Sequence, residues 1–109
     1  MVRSAYYGYV MSGDSFIGAD EAHIKREKAK AREMRGSQWW KRKRSSGVCY
    51  YCGGTFRPAD LTMDHLVPIV RGGKSTQGNV VPACKECNSK KKYLLPMEWE
   101  EYLGSLKKE

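Results

Sequence analysis

Two cysteine pairs of the same spacing, Cys49-Tyr-Tyr-Cys52 and Cys84-Lys-Glu-Cys87, stand in this chain with 31 residues between them. Such pairs supply four soft sulfur ligands, the set a structural zinc ion takes in a tetrahedron. Strained vicinal disulfides or a redox pair are the rival readings. A closed four-sulfur zinc site does no chemistry. Inside the frame, however, lies Asp64-His65, and directly behind the second pair comes Asn88. Those residues have the makings of a second, catalytic metal site.

Hydrolysis of a phosphodiester needs few parts. A base must take a proton from water, and histidine titrates near neutral pH. A divalent cation must stabilise charge on the phosphate and on the leaving 3′ oxygen. The chain has two histidines. His23 lies in a basic stretch, where a solvated side chain is expected. His65 lies in an apolar stretch beside Asp64, whose carboxylate is a hard oxygen ligand suited to Mg²⁺. A lone strand histidine is more often structural than catalytic. Asp64, Asn79 at the start of the opposite strand, and Asn88 at the start of a helix tilt the reading toward chemistry.

The bulk properties suit a polyanionic partner. The chain has 109 residues, a net charge of +8 and a pI of about 9.4. Neutralising phosphates releases counterions, so nucleic acid is the partner expected. The charge is uneven: residues 1–48 carry 11 Lys/Arg against 5 Asp/Glu, and residues 49–109 carry 9 against 7. No run of 18 apolar residues exists to span a membrane. Met1 to Phe16 lacks the apolar centre of a signal peptide, so a reducing cytoplasm is expected, where paired cysteines bind metal before they form disulfides. A chain this short has a thin core, for which a metal staple is a common remedy.

The elements that must position these residues can be read in turn. Residues 1–18 read as an irregular arm. Asp20 to Arg35 is rich in Ala, Glu, Lys and Arg and reads as a helix capped by Asp20 and ended by Gly36. Its apolar residues form no continuous stripe, so it should be mostly exposed, either solvated or against DNA. Ser37 to Arg44 reads as a second short helix, with Trp39 or Trp40 packed under the zinc site. Leu61 to Val70 reads as a strand kinked or ended at Pro68, and Asn79 to Ala83 as its partner. Lys85 to about Tyr93 should form a helix. Pro96 fits the first position of a last helix, with Leu95, Trp99, Tyr102, Leu103 and Leu106 on one apolar face. The division is a basic, largely helical extension over 1–46 and a zinc-stapled domain over 47–109.

At this point the sequence resembles the HNH endonuclease family. The matching residues are Cys49-x₂-Cys52, Leu61-Thr-Met-Asp64-His65-Leu-Val-Pro68, Gly72-Gly73, Asn79-Val-Val-Pro82 and Cys84-x₂-Cys87-Asn88-x₂-Lys91. The resemblance implies an α+β fold, a ββα-metal core stapled by Zn²⁺ on Cys49, Cys52, Cys84 and Cys87. Around that core would lie the basic helices and the amphipathic C-terminal helix. It implies His65 as general base and Asp64 as ligand to a catalytic Mg²⁺ or Mn²⁺. Asn79 would hold the loop between the strands and keep His65 aimed. Asn88, standing where the name-giving pattern has its last histidine, would be the second ligand. Its amide oxygen is hard, which favours Mg²⁺ or Mn²⁺ over softer metals. Cleavage of DNA to 5′-phosphate and 3′-hydroxyl ends would follow. Lys41, Arg42, Lys43, Arg44, Lys90 and Lys91 are the candidate phosphate contacts. Small stand-alone proteins of this kind resemble those of phages and bacteria. That implies the cytoplasm of a bacterial or infected host cell and admits a packaging or other protein partner; the oligomeric state stays open.

A non-catalytic zinc module that binds nucleic acid is the alternative. It explains the cysteines and the charge equally well, but not Asp64, His65 and Asn88 at their family positions. Gly73-Lys74-Ser75 resembles the end of a phosphate-binding loop, yet Pro68 stands where that motif needs glycine.

Overall fold

The computed structural model describes residues 18–106. Among them are four α-helices and one two-stranded sheet: α1 (Glu21–Arg35), α2 (Gln38–Arg44), β1 (Thr62–His65), β2 (Val80–Ala83), α3 (Lys85–Lys91) and α4 (Pro96–Leu106). Short 3₁₀ turns lie at Pro58–Asp60 and Ile69–Arg71. The architecture is α+β. The irregular arm expected over 1–18 lies almost wholly outside the described residues. Among the described residues no helix is long and apolar enough to cross a membrane.

β1 and β2 are antiparallel, with Thr62 opposite Ala83 and His65 opposite Val80. β1 is shorter than the stretch expected from Leu61 to Val70. Pro68 lacks an N–H for a ladder and instead precedes the Ile69–Arg71 turn. β2 is buried along its whole length. α3 packs on β1 and α2 on β2, so the strands lie between helices.

The helix starts follow their local chemistry. Asp20 caps α1 by accepting the His23 N–H, and the Ser37 side chain caps α2 by accepting from Trp40 N–H. At α3 the cap is Cys84, whose sulfur accepts from the Cys87 N–H. In α4, Trp99 is buried, stacks on Tyr102 and meets Tyr51 edge-on. Leu106, expected on the same buried face, is exposed.

α1 is more than a solvated helix. Glu27 and Ala31 are buried, and the helix packs on the Ile69–Arg71 turn and on α2. His23, expected to be solvated, donates from Nε2 to the Gly73 carbonyl at 2.9 Å. The Ala19 N–H donates to the Val70 carbonyl at 2.8 Å. Trp40 is 1% exposed, but it lies in the helix against β2 and not in the apolar cluster around the cysteines.

That cluster consists of Cys49, Leu61, Ala83, Cys84 and Cys87, with Tyr51 and Phe56 packed on it. The chain around the first cysteine pair doubles back, Val48 bridging to Thr55 and Gly53 N–H donating to the Cys49 carbonyl. Gly53 takes φ +71°, a conformation that a residue with Cβ rarely adopts. The Tyr50 N–H then stitches this turn to the Pro82 carbonyl of β2 at 2.8 Å.

Candidate active site and thiolate frame

The four cysteine sulfurs lie within 4.8 Å of one another, close enough to share one ion. Backbone N–H groups converge on them. Tyr51 and Cys84 donate to Cys49 Sγ at 3.4 and 3.3 Å, and Gly54 donates to Cys52 Sγ at 3.4 Å. Burial pushes the Cys49 thiol up, but the backbone N–H groups of Cys52, Cys84 and Tyr51 outweigh it and bring it down to about 7. Donors aimed at sulfur favour the thiolate, which is the form a metal binds. The residues therefore fit a structural ion such as zinc, which would staple the loop before β1 to the start of α3.

Successive residues of β1 alternate faces, so Thr62 and Asp64 share one. Asp64 is 6% exposed. The Tyr51 hydroxyl donates to its Oδ2, and the Lys91 ammonium lies 3.5 Å from the same oxygen. Burial, followed by the Asp64 carboxylate, pushes the Tyr51 phenol up, so it stays protonated and donates. Among the described residues no donor reaches Asp64 Oδ1.

Asn88 is oriented by a proton count. Thr62 Oγ1 gives its one proton to the Ala83 carbonyl at 2.9 Å, so it accepts from Asn88 Nδ2 at 2.8 Å. The amide oxygen of Asn88 is then the free end. A carboxylate oxygen and an amide oxygen are hard donors and fit Mg²⁺ or Mn²⁺ better than a softer metal. Asp64 and His65 line one hollow with Lys28, Lys92 and Tyr93; Asn88 lines the next, which shares the Lys92 and Tyr93 wall.

Asn79 stands at the foot of β2 and clamps the chain beyond β1. Its Oδ1 accepts from Val67 N–H at 2.9 Å, and its Nδ2 donates to the Val67 and Lys74 carbonyls at 3.1 and 2.8 Å. The Leu66 N–H donates to its backbone carbonyl. The loop after Pro68 closes so tightly that a Cβ on Gly73 would stand 1.7 Å from the Val67 carbonyl oxygen.

His65 is half-buried at the end of β1, and its Nε2 lies 2.9 Å from Ser75 Oγ. Burial lowers its pKa from the usual 6.5, and Arg35 adds to this against the opposing charge of Asp64. The imidazole is therefore neutral at pH 7, the form that accepts a proton.

Lys91, expected among the phosphate contacts, is instead completely buried. Its three ammonium protons go to the carbonyls of His65, Leu66 and Leu94 at 3.2, 3.2 and 2.9 Å. No proton is left for a phosphate; the residue ties the end of β1 to the end of α3. Lys41, Arg42, Lys43 and Lys90 are exposed and Arg44 is partly so. Lys90 pairs with Glu86 at 3.1 Å, and the Lys43 ammonium lies 5.8 Å from the Trp39 ring. The sequence reading gave no site role to Tyr51, Ser75 or Glu27, which touch Asp64, His65 and Ser75 respectively.

Residues 49–101 match the model of a family described as HNH endonuclease. They span both cysteine pairs, both strands, α3 and the first half of α4. Through this segment the chain is similar to the HNH endonuclease family. The family is one of nucleases. No curated protein matches the chain.

Proposed function

We propose that the protein is a metal-dependent endonuclease that hydrolyses phosphodiester bonds in duplex DNA with modest sequence preference. One observation carries the reading: a neutral, half-buried histidine and a buried carboxylate line one hollow at the end of a clamped strand. In this reading His65 takes the proton from the attacking water. Asp64 and Asn88 hold a Mg²⁺ or Mn²⁺ ion, which when bound neutralises charge on the phosphate and the leaving 3′ oxygen. Asn79 keeps the loop beyond His65 closed. Lys28 and Lys92, on the wall of the hollow, face the scissile region, while Lys41, Arg42, Lys43, Arg44 and Lys90 hold phosphates further along. Zinc on the four cysteines has a structural task only.

The test is supercoiled plasmid incubated with Mg²⁺, with Mn²⁺ or with EDTA. Nicking or linearisation that needs added metal supports the reading. Retardation of plasmid on a gel without cleavage under any of these conditions favours the non-catalytic binding module. The phosphate-binding cations have their own signature. Replacing Lys41, Arg42 and Lys43 with neutral residues should flatten the dependence of binding on salt, the slope falling by roughly one for each cation that had held a phosphate. An unchanged slope in a filter-binding titration would exclude those residues from phosphate binding.

A further inference from the structure

α1 lies outside the segment that carries the family match, yet three bonds tie it to the loop beyond β1. The His23 ring donates to Gly73. The Glu27 carboxylate accepts the Ser75 N–H at 2.7 Å through Oε1. The Glu27 backbone carbonyl accepts the Ser75 hydroxyl, also at 2.7 Å. The bonded residues lie 48 or 50 positions apart in sequence.

Glu27 is an unusual occupant for such a position. It is 2% exposed, and Ser75 is 7% exposed. Its neighbours along the helix are mostly charged and wet, and only its Oε2 lies near cations, Arg26 at 3.7 Å and Lys30 at 3.5 Å. An apolar residue would dock this helix without the desolvation cost of a carboxylate. What the Glu27 side chain adds is a grip on the Ser75 N–H, which holds the serine so that its hydroxyl meets the backbone carbonyl of the same residue.

That grip determines what Ser75 can do for His65. A carbonyl only accepts, so the single hydroxyl proton of Ser75 goes to Glu27. Ser75 Oγ can then only accept from His65. The proton in that 2.9 Å bond belongs to His65 Nε2, and the neutral ring keeps its lone pair on Nδ1. We infer that Glu27 and Ser75 are positioning residues for His65, through which α1 holds the imidazole as the Nε2–H tautomer with Nδ1 left to take the proton of water. The inference rests on the proposed role of His65, but the tautomer itself can be observed without any cleavage.

The experiment uses the full zinc-loaded chain, labelled with ¹⁵N at histidine. Only two rings contribute signals, and a His23→Gln variant identifies the other one. Ring ¹⁵N shifts are recorded well above pH 6.5 for the wild type, Ser75→Ala, Ser75→Thr, Glu27→Ala and Glu27→Gln. Initial nicking rates over a range of plasmid concentrations give kcat and KM for the same set. The wild type should show a protonated Nε2 and a bare Nδ1 at His65. Ser75→Ala should shift His65 toward a mixture of tautomers, and Glu27→Ala, which keeps the backbone carbonyl but frees the Ser75 N–H, should do so to a smaller extent. Each should lower kcat about ten- to hundredfold with KM little changed, as expected when a reacting group is misaligned. Ser75→Thr keeps the hydroxyl and Glu27→Gln keeps an acceptor oxygen, so both should restore most of the signature and the rate.

An unchanged tautomer and unchanged kcat in Ser75→Ala would overturn the inference while leaving the nuclease intact. A loss of rate that tracks a lowered melting temperature, with the tautomer unmoved, would overturn it in favour of simple docking. If wild type and His65→Ala cut equally, the proposed base is wrong and a catalytic purpose for the pair falls with it. A moved tautomer would then support only the hydrogen-bond geometry.

Discussion

Replacing His65 with alanine should lower the cleavage rate by roughly 10²–10⁴, the range over which a positioned base contributes, while leaving a folded, zinc-loaded protein. The two halves of this expectation have separate causes. The rate falls because no other described side chain in the hollow could serve as a neutral base near pH 7. Asp64 is committed through Oδ2 to Tyr51 and Lys91, and Lys28 and Lys92 are cations. The fold survives because the imidazole contributes one hydrogen bond, to Ser75, and Ser75 keeps its two bonds to Glu27. Losing one such bond costs about 1 kcal/mol. The wild-type rate should also fall on acidification, along a limb below pH 6.5, because burial moves His65 down and protonation removes the base. A metal ion beside Asp64 would move it further the same way. Plasmid nicking by His65→Ala at the wild-type rate would remove this residue from the mechanism.

Loss of zinc should do the opposite, abolishing the fold and the activity together. The apolar cluster of the domain includes three of the four cysteines, so an ion held by them would sit where a larger protein has its core. Structural zinc sites bind with about 10–16 kcal/mol in peptide hosts. Whole small domains are stable by only about 5–15 kcal/mol. Removing the ion also leaves buried thiols with no partner and frees the turn around Gly53. Exhaustive chelation should therefore abolish the cooperative melting transition, and Cys49→Ser should damage folding itself. Restoring Mg²⁺ without Zn²⁺ should not restore cleavage. A melting curve by circular dichroism that is the same before and after chelation would sink the structural-zinc reading.

How much of this is legible in the sequence depends on range. The cysteine pairs, Asp64-His65, Asn79 and Asn88 are short patterns whose spacing carries their meaning, and the structure brings them around one short sheet. The caps Asp20 and Ser37 are legible because a cap reads its own helix. Lys91 is not. It stands in a run of three lysines, and nothing local says that the middle one turns inward beneath β1. Glu27 is hidden for the same reason, because an acid among Lys and Arg on a helix reads as solvated. Its partner is a loop serine 48 residues away. Ser75 falls within the rejected phosphate-loop pattern, although its hydroxyl meets His65. The strand reads too long because its apolar residues continue to Val70, while the backbone leaves the ladder after His65. Each miss is a meeting of two elements that periodicity within one element does not encode.

Tyr51 touches both candidate metal sites. It lies inside the first cysteine pair, where its N–H donates to Cys49, and its phenol holds Asp64. Of the four sulfurs, that of its neighbour Cys52 is the exposed one. An oxidant would meet the frame there first, converting the thiolate toward a sulfenic acid that no longer binds the ion well. The turn that aims the phenol would then loosen together with the staple, and the carboxylate would lose its orientation in the same event. Peroxide should therefore silence cutting and lower the melting temperature at the same doses, a coupling that follows from one tyrosine being shared between the staple and the blade.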